Sequence, residues 1–318
     1  MADHAVILMN MGGVSELDEV EVFMRNMFND PRIIGAPPWI RRPLAEWITR
    51  MRLEGVKENY KRLGGGSPLL DISRRIAQKL EARIGVPVEL AMRYTPPFAR
   101  EALARLKEAG VGTIYLIPMY PQFSTTTTAS SIEDIRATAL KMGYFPKFVS
   151  LLHYYDSPLW LEAVEERIVE ALEGERADDM TLIFSAHGLP QRVVDKKDPY
   201  QKQVEAEVRL HEERLRKRGV VFEEVRLAYQ SRVGPMAWLR PSLEETLEGL
   251  NSRRVLIYPI SFTVDNSETL FELAMEYKEV AQKLGYQTYR VCCCPNDSDT
   301  FIKTLEGLYR RLAGQGEG

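Results

Sequence analysis

Eight short apolar runs, separated by amphipathic stretches of helical periodicity, constrain this chain more than any other feature. The runs fall at 5–9, 88–93, 113–118, 147–152, 181–184, 222–229, 254–259 and 286–292. Runs of this length read as strands, and strands alternating with helices form βαβ units whose strands pair in parallel. The expected fold class is therefore α/β. The 318 residues exceed one ordinary domain, and the strands divide into two sets of four.

The two sets can be laid over each other. Leu90-Ala91 overlies Leu227-Ala228 at an offset of 137, Tyr120-Pro121 overlies Tyr258-Pro259 at 138, and Asp156-Ser157 overlies Asp297-Ser298 at 141. Three offsets that agree within four residues favour an internal duplication. Met11-Gly12 matches His187-Gly188 at 176, so the first half carries about 38 extra residues between its first and second strands. The expected organisation is two Rossmann-like domains, each a four-stranded parallel sheet flanked by helices. They cover 1–155 and 156–318, with a last helix over 298–313 able to pack back on the first.

The extra residues fall within 14–66, where Pro31-Arg-Ile-Ile-Gly-Ala-Pro-Pro-Trp-Ile40 opposes a continuous helix. Two readings stand side by side for Phe23, Phe28, Ile33, Ile34, Trp39, Ile40 and Trp47. They form a satellite core, or an apolar flap over a large flat ligand or against a membrane surface, with Arg41, Arg42, Arg50 and Arg52 available for anionic groups.

Composition narrows the function. A net charge of -3 argues against nucleic acid as the main partner, which requires a basic surface. No window approaches the roughly 20 apolar residues of a membrane helix. The N-terminal apolar run is too short for a signal-peptide core, so the cytoplasm is the expected location. The only cysteines, Cys292, Cys293 and Cys294, are adjacent and lack the spacing of a zinc or iron–sulfur site.

In open α/β sheets, ligands bind beyond the carboxyl ends of the strands, where strand order reverses. With order 2-1-3-4 in each half, that point lies between the first and third strands of the unit. In the second half those strands lead to His187 and to Ser261–Glu268, which share one crevice; the first-half counterparts are Met11 and the Tyr120–Ser124 loop. His187 suits a proton acceptor near neutral pH, and Gly188 after it is expected to let the backbone approach a ligand. Glu268, Glu272 and Glu276 recur every four residues, so on an α-helix they turn by only about 40° and share a face. With Asp265 at its mouth, that stripe offers hard oxygen ligands to a divalent cation. Asn10-Met-Gly-Gly13 and Leu63-Gly-Gly-Gly-Ser-Pro68 match neither nucleotide fingerprint; the second caps a helix through Ser67 or holds a carboxylate on its amides.

Met9–Gly13, Tyr60–Pro68, Tyr120–Ser124, Phe184–Pro190, Tyr229–Pro235 and Ser261–Leu270, in this order and over nearly the whole chain, resemble ferrochelatase. The resemblance implies two doubly wound domains with a cleft between them, and insertion of ferrous iron, as substrate, into a porphyrin during haem synthesis. Protoporphyrin IX is the expected porphyrin. His187 would accept pyrrole protons with Glu268 as acidic partner, and Glu272 and Glu276 would continue the carboxylate track. His187 and Asp265 would join these glutamates in handling the metal. Met11 would lie near the macrocycle; Arg52, Tyr60 and Ser67 match positions that hold porphyrin carboxylates; Arg93, Tyr120 and Trp238 would line the cleft. The segment near 20–60 would be an apolar lip, with peripheral membrane contact, and the protein a monomer or homodimer. Asn266 stands where many members have histidine, which removes an imidazole ligand. No iron–sulfur cluster is expected from the three adjacent cysteines, Thr125 standing where a relative has cysteine. The alternatives are a chelatase for coproporphyrin, cobalt or nickel, and a tetrapyrrole carrier without catalysis; a two-lobed solute-binding protein would need an export signal.

Overall fold

A computed structural model describes residues 3–231 and 236–316. It contains eight strands, β1 His4–Asn10, β2 Val88–Met92, β3 Thr113–Pro118, β4 Lys147–Ser150, β5 Thr181–His187, β6 Glu224–Gln230, β7 Arg254–Tyr258 and β8 Thr288–Val291. The helices are α1 Glu19–Phe28, α2 Pro38–Arg62, α3 Leu69–Ile84, α4 Ala99–Glu108, α5 Ser130–Lys141, α6 Pro158–Ala171, α7 Gln191–Asp195, α8 Tyr200–Lys217, α9 Leu243–Gly249, α10 Tyr277–Lys283 and α11 Asp299–Gly316. Each of the eight anticipated runs overlaps a strand. β5 extends beyond the apolar run to His187, because its pairing with β6 continues to His187–Gln230 after pairing with β7 stops at Phe184–Tyr258.

The strands form two four-stranded parallel sheets, ordered β2-β1-β3-β4 and β6-β5-β7-β8. The chain resolves into two units, Met1–His153 with Ile302–Gly318, and Tyr154–Phe301. In the first, β1 and β3 are sealed by Ala102, Leu103, Leu106, Ile132 and Ile135 of α4 and α5. In the second, β5, β6 and β7 are covered by Leu243, Leu247 and Leu273. At about 25 cal/mol per Å² of apolar surface, such cores dominate the stability of each unit.

Strand register tests the duplication residue by residue. Leu8 pairs with Leu90 and Phe184 with Leu227, which keeps the offsets of 176 and 137. Leu8 also pairs with Ile117 and Phe184 with Tyr258, so the third strands are related by 141 (258 − 117), not 138. Tyr258-Pro259 therefore corresponds to Ile117-Pro118 rather than Tyr120-Pro121. The amides of the next residues, Met119 and Ile260, bond back to Met9 and Ser185 at 2.8 and 3.1 Å, which marks the same position in both sheets. The fourth strands keep 141, through Leu116–Ser150 and Ile257–Val291.

The insertion supplies α1, α2 and the turn between them. Pro38 opens α2 at its first turn, where a missing amide costs nothing, so the prolines set the helix boundary. The satellite-core reading holds for part of its apolar residues. Phe23, Phe28 and Tyr60 join Val14, Val20 and Met24 in a satellite core. Trp39, Trp47 and Met51 of α2 are 76, 62 and 69% exposed.

Candidate active site

His187 ends β5 in the second unit. Its Nδ1 lies 2.7 Å from the Gly188 carbonyl oxygen, which can only accept, so Nδ1 carries the hydrogen. In the neutral ring this leaves the lone pair on Nε2, which points to Glu268 with Nε2 and Oε2 3.5 Å apart. The imidazole is thus set to take a proton and to form an ion pair once it has done so. Phe262 meets the ring at a steep angle, with centroids 6.4 Å apart.

Glu268 and Glu272 do not lie on an α-helix. Glu268–Glu276 forms a π-helix that continues into α10. Four residues fall just beyond one α turn of 3.6 and just short of a wider π turn, so the glutamates remain aligned, as the spacing requires. Glu272 accepts Ser231 N–H at 2.7 Å and Ser231 Oγ–H at 2.6 Å, and the same hydroxyl lies 3.3 Å from Glu268. Ser231 reaches both carboxylates from the left-handed region, at φ 63°. Burial and then the neighbouring charge of Glu268 push the Glu272 carboxyl up to about 7. One of the two carboxyls therefore exchanges protons near neutral pH. Glu276 is exposed at the far end of the stripe.

Asp265 does not join this group. Its Oδ1 accepts from Thr269 Oγ1 at 3.0 Å and Cys294 N–H at 3.1 Å, and its Oδ2 from Asn296 Nδ2 at 2.6 Å. It ties the start of the π-helix to the loop after β8. Among the described residues, no three or more His, Cys, Asp or Glu side chains gather into a closed cation site. Asn266 is buried, with its Oδ1 accepting the Glu268 N–H at 2.8 Å and its Nδ2 donating to Val264 O at 3.0 Å. It caps the turn that carries Glu268, a task its amide performs with both ends.

Gly188 is required by packing within its own sheet. A Cβ there would lie 2.6 Å from the Gln230 carbonyl of β6. Trp238 bridges to Pro190 beside it. The rest of Tyr229–Pro235, residues 232–235, lies outside the described residues.

The family model "Ferrochelatase" matches residues 3–312. The ferrochelatase of Sulfurimonas denitrificans is 45% identical over 98% of this chain and 100% of its own, and that of Nitratiruptor sp. 46% over 97% and 99%. This chain belongs to the ferrochelatase family. Among solved structures, SirB from Bacillus subtilis with Fe3+ shares the fold, with a TM-score of 0.61 at 13% identity over 99% of this chain and 97% of that one. CbiX, the terminal enzyme for biosynthesis of sirohaem in denitrifying bacteria, does so at 0.54 and 10%, over 97% and 98%.

The first unit of this ferrochelatase-family chain places its own expected residues differently. Met11 follows β1, half-buried, with its carbonyl held by Tyr94 N–H at 2.8 Å. Arg52 is exposed on α2. Tyr60 is only 6% exposed, inside the satellite core, because α2 turns this face toward α1. Ser67 is buried and accepts Leu69 N–H at 3.3 Å, capping α3, while its own amide donates to Val14 O at 2.6 Å. The amides of Gly64 and Gly65 donate to Lys61 O and Tyr60 O, so these three amides are not directed at an anion. Gly66 packs so tightly that a Cβ would fall 2.0 Å from Ser15 O. Tyr120 is buried just beyond β3.

Arg93 is committed to an ion pair, with Nη2 3.0 Å from Asp30 and Nη1 3.5 Å from Asp134, and Nε donates to Ser130 Oγ at 3.0 Å. Tyr94 Oη also donates to Asp30, at 2.9 Å. Asp30, Ser231 and the Tyr200–Ser261 pair described below were not singled out from sequence. Ser231 follows a strand within a recognisable motif, but nothing local marks its backbone conformation. Asp30 in Asn-Asp-Pro reads as a turn residue, and its arginine lies far along the chain.

Proposed function

We propose that this chain inserts ferrous iron into a porphyrin as a step of haem biosynthesis, with His187 as proton acceptor. The observation that carries this reading is the His187 tautomer: Nδ1 is held by Gly188 O, and the basic Nε2 faces Glu268. Each iron that enters a porphyrin displaces two pyrrole protons, so a base with an exit for protons is needed besides the metal. His187 takes the proton, Glu268 stabilises the imidazolium, and Glu272, titrating at about 7, passes it on. Glu268, Glu272 and the exposed Glu276 line a carboxylate path for protons and ferrous iron; such oxygens bind the ion weakly enough to release it. Asp265 acts by holding the π-helix rather than as a ligand.

Met11, Arg52, Ser67, Tyr120 and Trp238 are the proposed porphyrin contacts. Arg93 and Tyr60 support them from inside their unit. Protoporphyrin IX suits the exposed Trp39, Trp47 and Met51 better than a tetracarboxylate porphyrin, because apolar side chains favour the less charged substrate. The same residues, with Arg41, Arg42 and Arg50 beside them, make α2 a lip for peripheral membrane contact. No described helix is long and apolar enough to cross a membrane.

Anaerobic incubation with ferrous iron and protoporphyrin IX or coproporphyrin III, followed by visible spectroscopy, tests the activity. The expected result is iron insertion with a preference for protoporphyrin IX, and its abolition in His187→Ala with porphyrin binding retained. Binding without any metallation would leave the carrier reading. The double variant Trp39→Ala/Trp47→Ala is expected to raise KM for protoporphyrin and reduce co-sedimentation with anionic vesicles. Unchanged values in both assays would remove the lip role.

A further inference from the structure

The backbone of His187 is held in an unusual way. On the β7 side of β5, backbone pairing ends with the bond from Ile260 N–H to Ser185 O. The next residue of β5 to face that side is His187, and side chains meet both of its backbone groups. His187 N–H donates to Ser261 Oγ at 3.1 Å, and Tyr200 Oη–H donates to His187 O at 2.9 Å. The two hydroxyls lie 2.6 Å apart. The donors close a ring: His187 N–H to Ser261, Ser261 O–H to Tyr200, Tyr200 O–H to His187 O. Tyr200 is only 5% exposed, and burial raises its hydroxyl's pKa, which keeps it a donor.

We infer that Tyr200 and Ser261 are positioning residues for His187, setting the reach of its imidazole to Glu268. The inference rests on the proposed proton-acceptor role. Ser261 begins the loop that leads into the π-helix of Glu268, so the ring ties the base directly to the segment bearing its partner. Tyr200 opens α8, whose far half is anchored by buried charge. His211 lies between Glu165 at 3.7 Å and Glu207 at 3.6 Å, all three fully buried, and Arg214 Nε donates to Glu165 at 2.5 Å. The hydroxyl of Tyr200 thus sits on a fixed support.

The test uses Tyr200→Phe, Ser261→Ala and the double variant, with anaerobic turnover and nitrogen-15 NMR of the His187 imidazole. Each single variant is expected to lower kcat about tenfold with KM for porphyrin unchanged, since small misplacements of a reacting group are costly. The imidazole signal should shift from one tautomer toward a mixture. The double variant should lose no more than the worse single, because both break one ring. Parent-like kcat and imidazole signals in both singles overturn the inference, as do additive losses that follow melting temperature. If His187→Ala still inserts iron, the proton-acceptor role falls separately. The positioning role is then decided by the imidazole signal alone, unchanged spectra overturning it.

Discussion

Glu272 shows how a site can be assembled from residues that are ordinary alone. Its carboxyl is raised to about 7 by burial and by Glu268, while Ser231 donates to it from backbone and side chain. A carboxyl with a raised folded pKa binds more protons folded than unfolded. Its contribution to stability is full below about 4.5 and is lost as pH rises through about 7. Glu272→Gln, which mimics the protonated form, is expected to exceed the parent's stability by about 3 kcal/mol at pH 8 and by less than about 1 kcal/mol at pH 5. Urea unfolding at the two pH values checks this; a variant weaker than the parent at pH 8 would remove the electrostatic account.

At the scale of elements, the π-helix and α8 do different work. The π-helix Glu268–Glu276 presents its glutamates in line, and Asn266 and Asp265 secure its first turn. Helix α8 packs His211 against two buried carboxylates, Glu165 and Glu207. Burial alone would lower the His211 pKa, but the proximity of Glu165 and Glu207 outweighs it and raises the value. That stabilisation is full below about 6.5 and is lost as pH rises through the raised folded value. Phe184 stacks on the ring, with centroids 5.4 Å apart, so the group is wedged as well as charged. Removing one partner of a buried ion pair costs about 3 kcal/mol. His211→Ala is therefore expected to destabilise the protein by about that amount at pH 6 and by less at pH 9. An equal loss at both would assign the effect to packing.

Across the whole molecule, two sheets of one topology carry unequal chemistry. The register makes Met11 the positional equivalent of His187, and the offset of 141 makes Thr127 and Ser131 the equivalents of Glu268 and Glu272. The first unit keeps the backbone plan, including a short π-helical segment at Thr125–Ala129. Where the second unit has Glu272 held by Ser231, the first has a network of Arg93, Asp30 and Ser130. Placing an imidazole in the first unit alone should create no second base. Met11→His in a His187→Ala background is expected to leave iron insertion abolished, and recovery of turnover would contradict the asymmetry.

The strands and their grouping were legible because burial on a parallel sheet demands apolar runs, which survive as a pattern in one dimension. His187 and the Glu268 spacing were legible for a related reason: strand ends and helical repeats are local. The third-strand offset was misread by three residues because Tyr-Pro recurs nearby, whereas register depends on which amide bonds to which carbonyl. The π geometry, the left-handed Ser231, the Asp30–Arg93 pair and the hydroxyl ring beneath His187 were decided by tertiary structure alone. Each depends on partners distant along the chain, and the preference of a single residue carries no record of them. The chain's own sequence determined that an imidazole would close one strand and that a carboxylate stripe would follow the neighbouring strand. Only the fold decided which nitrogen of that base is free, because a carbonyl 2.7 Å from Nδ1 settles the tautomer.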